Sequence, residues 1–317
     1  MEETNEINNH ENKRRTVKKS KLNWKRAAPL YLMLVPGVIF CIVFQYIPMA
    51  GLIIAFKDFK PWLGFAESPW VGLKHFEFLF SYSGNLQVIY NTVIISVLKL
   101  VLGLIVPIAF ALLLNEIRKM VFKRTIQTMV YLPYFLSWVI LGGILLDMLS
   151  PEGGLVNNFL GFFGIDPIFF LGSNTWFRPT VIISDIWKEF GFSTIVYLAT
   201  LAGINPSLYE AAEMDGATRK KQTWHITLPC MMPIIVVMGI LSLGNILNAG
   251  FDQIFNLYNP LVYETGDIID TFVYRVGLVK GDFGFATAMG MFKSVIGFIF
   301  IVIAYRLAYK FADYKIF

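Results

Sequence analysis

Between two apolar runs of the chain stands the segment Pro206-Ser-Leu-Tyr-Glu210-Ala211-Ala212-Glu-Met-Asp215-Gly216-Ala217-Thr-Arg-Lys-Lys-Gln-Thr-Trp224-His-Ile226-Thr-Leu228-Pro229. Its local chemistry predicts two short helices hinged at a glycine. Pro206 suits a first helical turn, and Ser207 with Glu210 has capping-box spacing. Asp215 and Gly216 can close one helix and open the next, because glycine adopts backbone angles other residues avoid and aspartate caps an N-terminus. In the second helix Ala217, Lys221, Trp224 and Leu228 recur at helical spacing. The product is a compact knob whose small residues, Ala211, Ala212, Gly216 and Ala217, let another protein approach closely. By composition alone, the same stretch reads as a basic solvent-facing loop whose alanines merely favour helix.

The sequence on either side is strongly apolar. Of 317 residues, 56% are hydrophobic and 15% charged, against about a quarter charged in a soluble domain. Apolar runs extend over 31–56, 88–114, 126–149, 180–201, 233–249 and 285–307, most of them long enough to cross ~30 Å of hydrocarbon. The chain therefore reads as an all-α, polytopic membrane protein with six spans. The first run is too long for a signal-peptide core and lacks a small-residue cleavage motif after it. Prolines within the runs, such as Pro36, Pro107 and Pro133, are tolerated in membrane bundles.

Lysine and arginine set the expected orientation. They crowd the arm before the first run, the 118–124 connection, the 219–221 segment and the C-terminal end, and are three times rarer in the alternate connections. The positive-inside rule then places both termini and the 206–229 loop in the cytoplasm. The expected organisation is a disordered basic arm over 1–28 and one membrane domain over 29–317, with the loop at 203–230. Trp62, Trp70, Trp176, Tyr258 and Tyr263 fall near the other interface, where such rings suit the headgroup belt.

The loop resembles the Glu-Ala-Ala loop of the permeases of binding-protein-dependent ABC importers. Glu210, Ala211, Ala212, Asp215, Gly216, Ala217, Ile226, Leu228 and Pro229 match that pattern, and Trp224 fills its aromatic position. The resemblance implies the type I importer permease fold and makes this loop the coupling helix that docks into a groove of the ATP-binding subunit. It also implies that Gly216 must lack a side chain. A second permease subunit, two ATP-binding subunits, an extracellular solute-binding protein, an oligosaccharide and membrane lipids are the implied partners. Asn91-Thr92, the run from Ala111 to Glu116 and the run from Thr287 to Gly290 look like the carbohydrate branch, especially permeases for complex oligosaccharides. ATP and Mg would be bound by the partner ATPase, and this chain would hold no cofactor.

Candidate substrate residues lie within the spans. Asp185, Lys188, Glu189 and Phe192 recur at steps of three or four, as do Asn245, Asn248 and Asp252. An ionisable residue in a span faces a bundle interior or a water-filled cavity. Amides and carboxylates pair with hydroxyls while an aromatic ring covers a pyranose face. Aligned from the loop, Asp185, Lys188, Glu189, Phe192, Asn245 and Asn248 resemble sugar-contacting positions of maltose-type importers, although those have Gly and Tyr where this chain has Glu189 and Phe192. Equally open is a structural role, with Lys188 and Glu189 paired to each other or to the second permease and the asparagines joining helices. Lys99 and Lys293 are expected to snorkel or to pair with a neighbouring helix.

Other classes fit poorly. His10, His75 and His225 are scattered, Cys41 and Cys230 have no ligand spacing, and neither a phosphate-binding glycine loop nor a catalytic triad spacing is present. No metal site or catalytic residue is expected. An ion-driven carrier would need an internal repeat or a broken-helix ion site, and a membrane-embedded enzyme a cluster of reactive residues at one face. Within the importer class, the alternative cargo is a peptide, a phosphate compound or a polyamine.

Overall fold

A computed structural model describes residues 24–312, with side chains from 27 to 306. The arm expected over 1–28 lies outside the described residues up to Asn23. The chain divides into two units after Leu52. The first contains α1 (Trp24–Cys41), which continues through a wide turn at Ile42–Tyr46, where the Ile47 amide donates to the Ile42 carbonyl. The next residue is Pro48, which has no amide hydrogen, so a wide turn there lets the helix continue past it.

The second unit, from Ile53 onward, contains no strand among the described residues beyond one isolated bridge between Lys57 and Trp70. Its axis is α2 (Ser83–Asn115) with α5 (Asn174–Ala202), helices of 33 and 29 residues. At 1.5 Å per residue each is more than ~40 Å long, enough to cross the hydrocarbon layer. They run side by side in the same direction. Arg178 meets Asn91, Lys99 meets Asp185 and the Thr194 hydroxyl reaches the Pro107 carbonyl. Phe110 and Phe190 pack edge to face with centroids 5.0 Å apart.

Between these two lie α3 (Met120–Tyr131) and α4 (Trp138–Met148). The expected single span over 126–149 is in fact bent by 107°. Pro133 opens a tight turn at Leu132–Phe135, and Ser137 then caps α4 by accepting from the Ile140 amide at 3.3 Å, so the ladder restarts in a new direction. After α5 come α6 (Pro206–Met214), α7 (Arg219–Gln222) and α8 (Leu228–Leu243), the last two joined into one 25-residue run. The fifth span stops at Leu243 instead of running to Ala249. A non-helical stretch follows until α9 (Phe251–Leu257), and after α10 (Ile269–Val273) the chain closes with α11 (Phe283–Ala312).

Four helical runs among the described residues are long and apolar enough to cross a membrane, and the bent α3–α4 pair makes a fifth. α5 is the sixth. Every stretch of it long enough to span contains Asp185, Lys188 and Glu189, which lowers its hydropathy while the helix itself stays unbroken. At the end remote from α6, Asn91 is fully buried and donates to the carbonyls of Glu264 and Asp267, both at 3.0 Å, while the Thr92 hydroxyl accepts from the Ile269 amide at 2.9 Å. This pair staples the 264–269 connection to α2. Arg275 locks the same connection from the other side through the buried Asp267 carboxylate and stacks over Tyr263 at 4.2 Å.

Candidate functional site

The loop folds as a hinge. α6 begins at Pro206, and its cap is the Asn205 side chain, which accepts from the Ser207 amide at 3.1 Å; the expected Ser207–Glu210 capping box is not formed. Asn205 wins because a proline at the first helical position places the cap one residue before it. α6 ends where Gly216 takes φ of +74°, and the Ala217 amide returns to the Ala212 carbonyl at 2.8 Å. That is the glycine-terminated helix end in which a left-handed residue lets the chain reverse. A Cβ at Gly216 would meet nothing within 4 Å, so its surroundings are open and its constraint is conformational.

One bond clasps the two halves of the hinge together, and a second ties the hinge back to the bundle. The Tyr209 hydroxyl lies 3.0 Å from Thr227 Oγ1, and Arg219 pairs with Glu116 at the end of α2 at 3.1 Å. The run into α8 contains another wide turn, with the Leu228 amide donating to the Thr223 carbonyl just before Pro229. The geometry repeats that at Pro48. Glu210, Ala211, Asp215, Gly216 and Pro229 are exposed, and Ala212, Ala217, Ile226 and Leu228 are half-buried. Trp224 is 70% exposed and Met214 89%, which leaves large apolar side chains uncovered beside the hinge.

Deeper in the bundle, the charges sit where spans break. The unwound stretch after Leu243 leaves the Ala249 carbonyl without a helical partner, and Lys99 Nζ donates to it at 2.8 Å. The same ammonium reaches Asp185 at 3.0 Å and the side-chain oxygen of Gln253. Gln253 in turn donates to the Val181 carbonyl and Ser184 on α5. At the α3–α4 bend, Lys188 Nζ donates to the Tyr134 carbonyl at 2.8 Å and pairs with Glu189 at 3.4 Å. Phe192 lies flat on the Tyr134 ring, 4.1 Å away and 5° from parallel. Gly191 permits this approach of α5 to α3, since a Cβ there would lie 2.3 Å from the Val130 carbonyl.

The six proposed sugar contacts are thus divided. Asp185 joins Lys99 and Gln253, while Lys188, Glu189 and Phe192 join Tyr134. Asn245 and Asn248 do not form a helical stripe with Asp252, because the helix has ended before them. They line a cavity of about 680 Å³ together with Phe251, Asp270, Lys293 and Phe298. Sequence reasoning missed Gln253, Tyr134 and Asp270. Gly244 and Gly250 flanking the unwound stretch were the available signal, and Gly250 takes φ of +91°. Among the described residues no cluster of His, Cys, Asp and Glu is arranged to hold a metal ion.

Residues 99–312 match the family described as binding-protein-dependent transport system inner membrane component. The chain belongs to this family. It is a non-catalytic, multi-pass membrane subunit of a transport system. Its sequence is 46% identical to the polygalacturonan/rhamnogalacturonan transport system permease protein YteP of Bacillus subtilis (strain 168), over 90% of this chain and 88% of that one. Protein LplB of the same organism is 43% identical, over 90% of each chain. The permease superposes with a TM-score of 0.84 on a chain of a bacterial ABC transporter involved in the import of the acidic polysaccharide alginate. That match is 43% identical and covers 91% of this chain and 97% of the other. A chain of a bacterial alginate ABC transporter in complex with an alginate pentasaccharide-bound periplasmic protein matches with a TM-score of 0.83, at 42% identity over 90% of this chain and 96% of the other. The fold is that of the ABC importer permeases.

Proposed function

We propose that this permease forms half of the pathway of an ATP-driven importer for oligosaccharides, and that the hinge at 206–229 couples it to the ATP-binding subunit. The hinge carries the reading. It is an exposed two-helix element with small residues at its turn, clasped internally by Tyr209 on Thr227 and anchored to the bundle by Arg219 on Glu116. Glu210, Ala211, Ala212, Asp215, Gly216, Ala217 and Trp224 form its docking face, and Ile226, Leu228 and Pro229 connect it to α8. Closure of an ATPase dimer against this face rocks the spans between two states. ATP and Mg are held by the ATPase, and a second permease and a solute-binding protein complete the assembly. The lysine and arginine bias supports a cytoplasmic hinge and cytoplasmic termini.

The sugar reading rests on Asn245 and Asn248 at the 680 Å³ cavity and on relatives named for polysaccharide transport. Asp185, Lys188, Glu189 and Phe192 shape the pathway through the contacts they already make. The test is reconstitution of the complete complex in proteoliposomes, with ATP hydrolysis followed as loaded binding protein is added. Stimulation by oligosaccharide-loaded binding protein is expected. Stimulation by a peptide, phosphate compound or polyamine in its place overturns the sugar reading.

A further inference from the structure

Three lysines lie within spans, and two of them hold the fold together. Lys99 contacts Asp185, the Ala249 carbonyl and Gln253, and Lys188 contacts the Tyr134 carbonyl and Glu189. Each covers a backbone oxygen released by a broken helix. Lys293 has no such duty. Its ammonium meets the two carboxylate oxygens of Asp270 at 2.6 and 2.7 Å, and those are its polar contacts among the described residues. An ammonium carries three hydrogens, so a donor remains. The pair is not sealed: the side chains of Lys293 and Asp270 are 22% and 25% exposed, and both line the cavity that holds Asn245, Asn248 and Phe251. An ion pair within a span that supports no broken backbone and opens onto a cavity marks a solute path.

We propose that Lys293 is the carboxylate receptor of this cavity and sets its preference for anionic oligosaccharides. A uronate carboxylate takes the place of Asp270 on Lys293, and Asp270 then accepts hydrogen bonds from sugar hydroxyls. The exchange replaces one charge-assisted bond on Lys293 by another and leaves the Asp270 carboxylate without its cation, a cost limited by its 25% exposure to the cavity and by the sugar hydroxyls it accepts from. A neutral sugar gains nothing from Lys293 and leaves the pair closed. The proposal rests on the oligosaccharide reading of the cavity and names the substrate class within it.

The test uses the complete reconstituted complex, with tetragalacturonate and alginate pentasaccharide as acidic probes and the methyl ester of tetragalacturonate as a neutral one. Lys293→Gln is expected to lower ATP-driven uptake of both acidic probes by about tenfold or more, because truncating one partner of a desolvated charge contact is costly. Uptake of the ester is expected to fall several-fold less than that of the acidic probes. Asp270→Asn removes the internal competitor for Lys293 and is expected to lower the half-saturating concentration of the acidic probes several-fold. The signs separate the roles, since a purely structural ion pair predicts that both variants impair every probe alike. That result overturns the proposal, as does unchanged acidic uptake in Lys293→Gln. Should Lys293→Gln fail to assemble, Asp270→Asn decides alone, a gain supporting the proposal and a loss on all probes overturning it. If the wild-type complex takes up neither acidic nor neutral probes, the oligosaccharide reading itself falls and the receptor with it.

Discussion

Lys99 of α2 donates to Asp185 of α5 at 3.0 Å, and the same ammonium covers the Ala249 carbonyl at the break after the fifth span. Lys188 repeats the arrangement at the α3–α4 bend, on the Tyr134 carbonyl and beside Glu189. A free carbonyl in hydrocarbon costs several kcal/mol, so each lysine makes a broken span tolerable and α5 supplies a carboxylate to each. The charges that lower the hydropathy of α5 are therefore what allows its neighbours to bend.

Removing one partner of such a pair leaves a buried charge uncompensated, at a cost of about 3–5 kcal/mol. Lys99→Met is accordingly expected to lower the unfolding temperature of the detergent-solubilised complex well beyond the effect of Arg219→Ala. The Arg219–Glu116 pair is at least half exposed and is worth about 1 kcal/mol or less. Equal effects of the two substitutions in a thermal-shift series would contradict the keystone role of Lys99.

Gly216 separates conformation from docking. It takes φ of +74°, and an alanine methyl group there would have nothing within 4 Å. Gly216→Ala is therefore expected to cost only the left-handed strain of about 1–2 kcal/mol and to leave the complex assembled. Gly216→Arg adds a long side chain to the open turn, and we expect transport to be abolished while membrane insertion is normal. Transport at the wild-type rate by Gly216→Arg would count heavily against this face as the ATPase contact.

Tyr209→Phe deletes the bond to Thr227 and nothing else in the clasp. A neutral hydrogen bond contributes about 0.5–1.5 kcal/mol, enough to raise the population of an opened hinge several-fold. Limited trypsin digestion at Arg219, Lys220 and Lys221 is expected to accelerate by that factor in the isolated permease. An unchanged cleavage rate would mean that the clasp is not what holds α6 against α8.

The hinge was legible because its determinants are local: Pro206, Gly216 and Pro229 act on the few residues around them. The spans were legible from composition, and the stripe of Asp185, Lys188, Glu189 and Phe192 from helical spacing. What the stripe meets was not, because Lys99 is 86 residues from Asp185 and Tyr134 is 54 from Lys188. Asn91-Thr92 stood out as a motif, yet its role as a staple depends on carbonyls and an amide more than 170 residues away. The bend at Leu136 and the stop at Leu243 escaped notice because apolar composition continues through both. A hydropathy run does not register where the hydrogen-bond ladder is interrupted.

Gly250 offers the sharpest test of how the interrupted span is held. It opens α9 at φ +91°, and a Cβ there would lie 2.9 Å from Lys99 Nζ. Gly250→Ala therefore combines left-handed strain with displacement of the ammonium from the Ala249 carbonyl, and a loss larger than the strain of about 1–2 kcal/mol is expected. In the Lys99→Met background the ammonium is already gone, so only the strain remains to be added. Thermal unfolding of the two single variants and the double variant is expected to show a combined loss smaller than the sum, by more than the ~0.3–0.5 kcal/mol scatter of independent sites. Strict additivity would place the cost of Gly250→Ala in its backbone alone and remove Lys99 from control of the break.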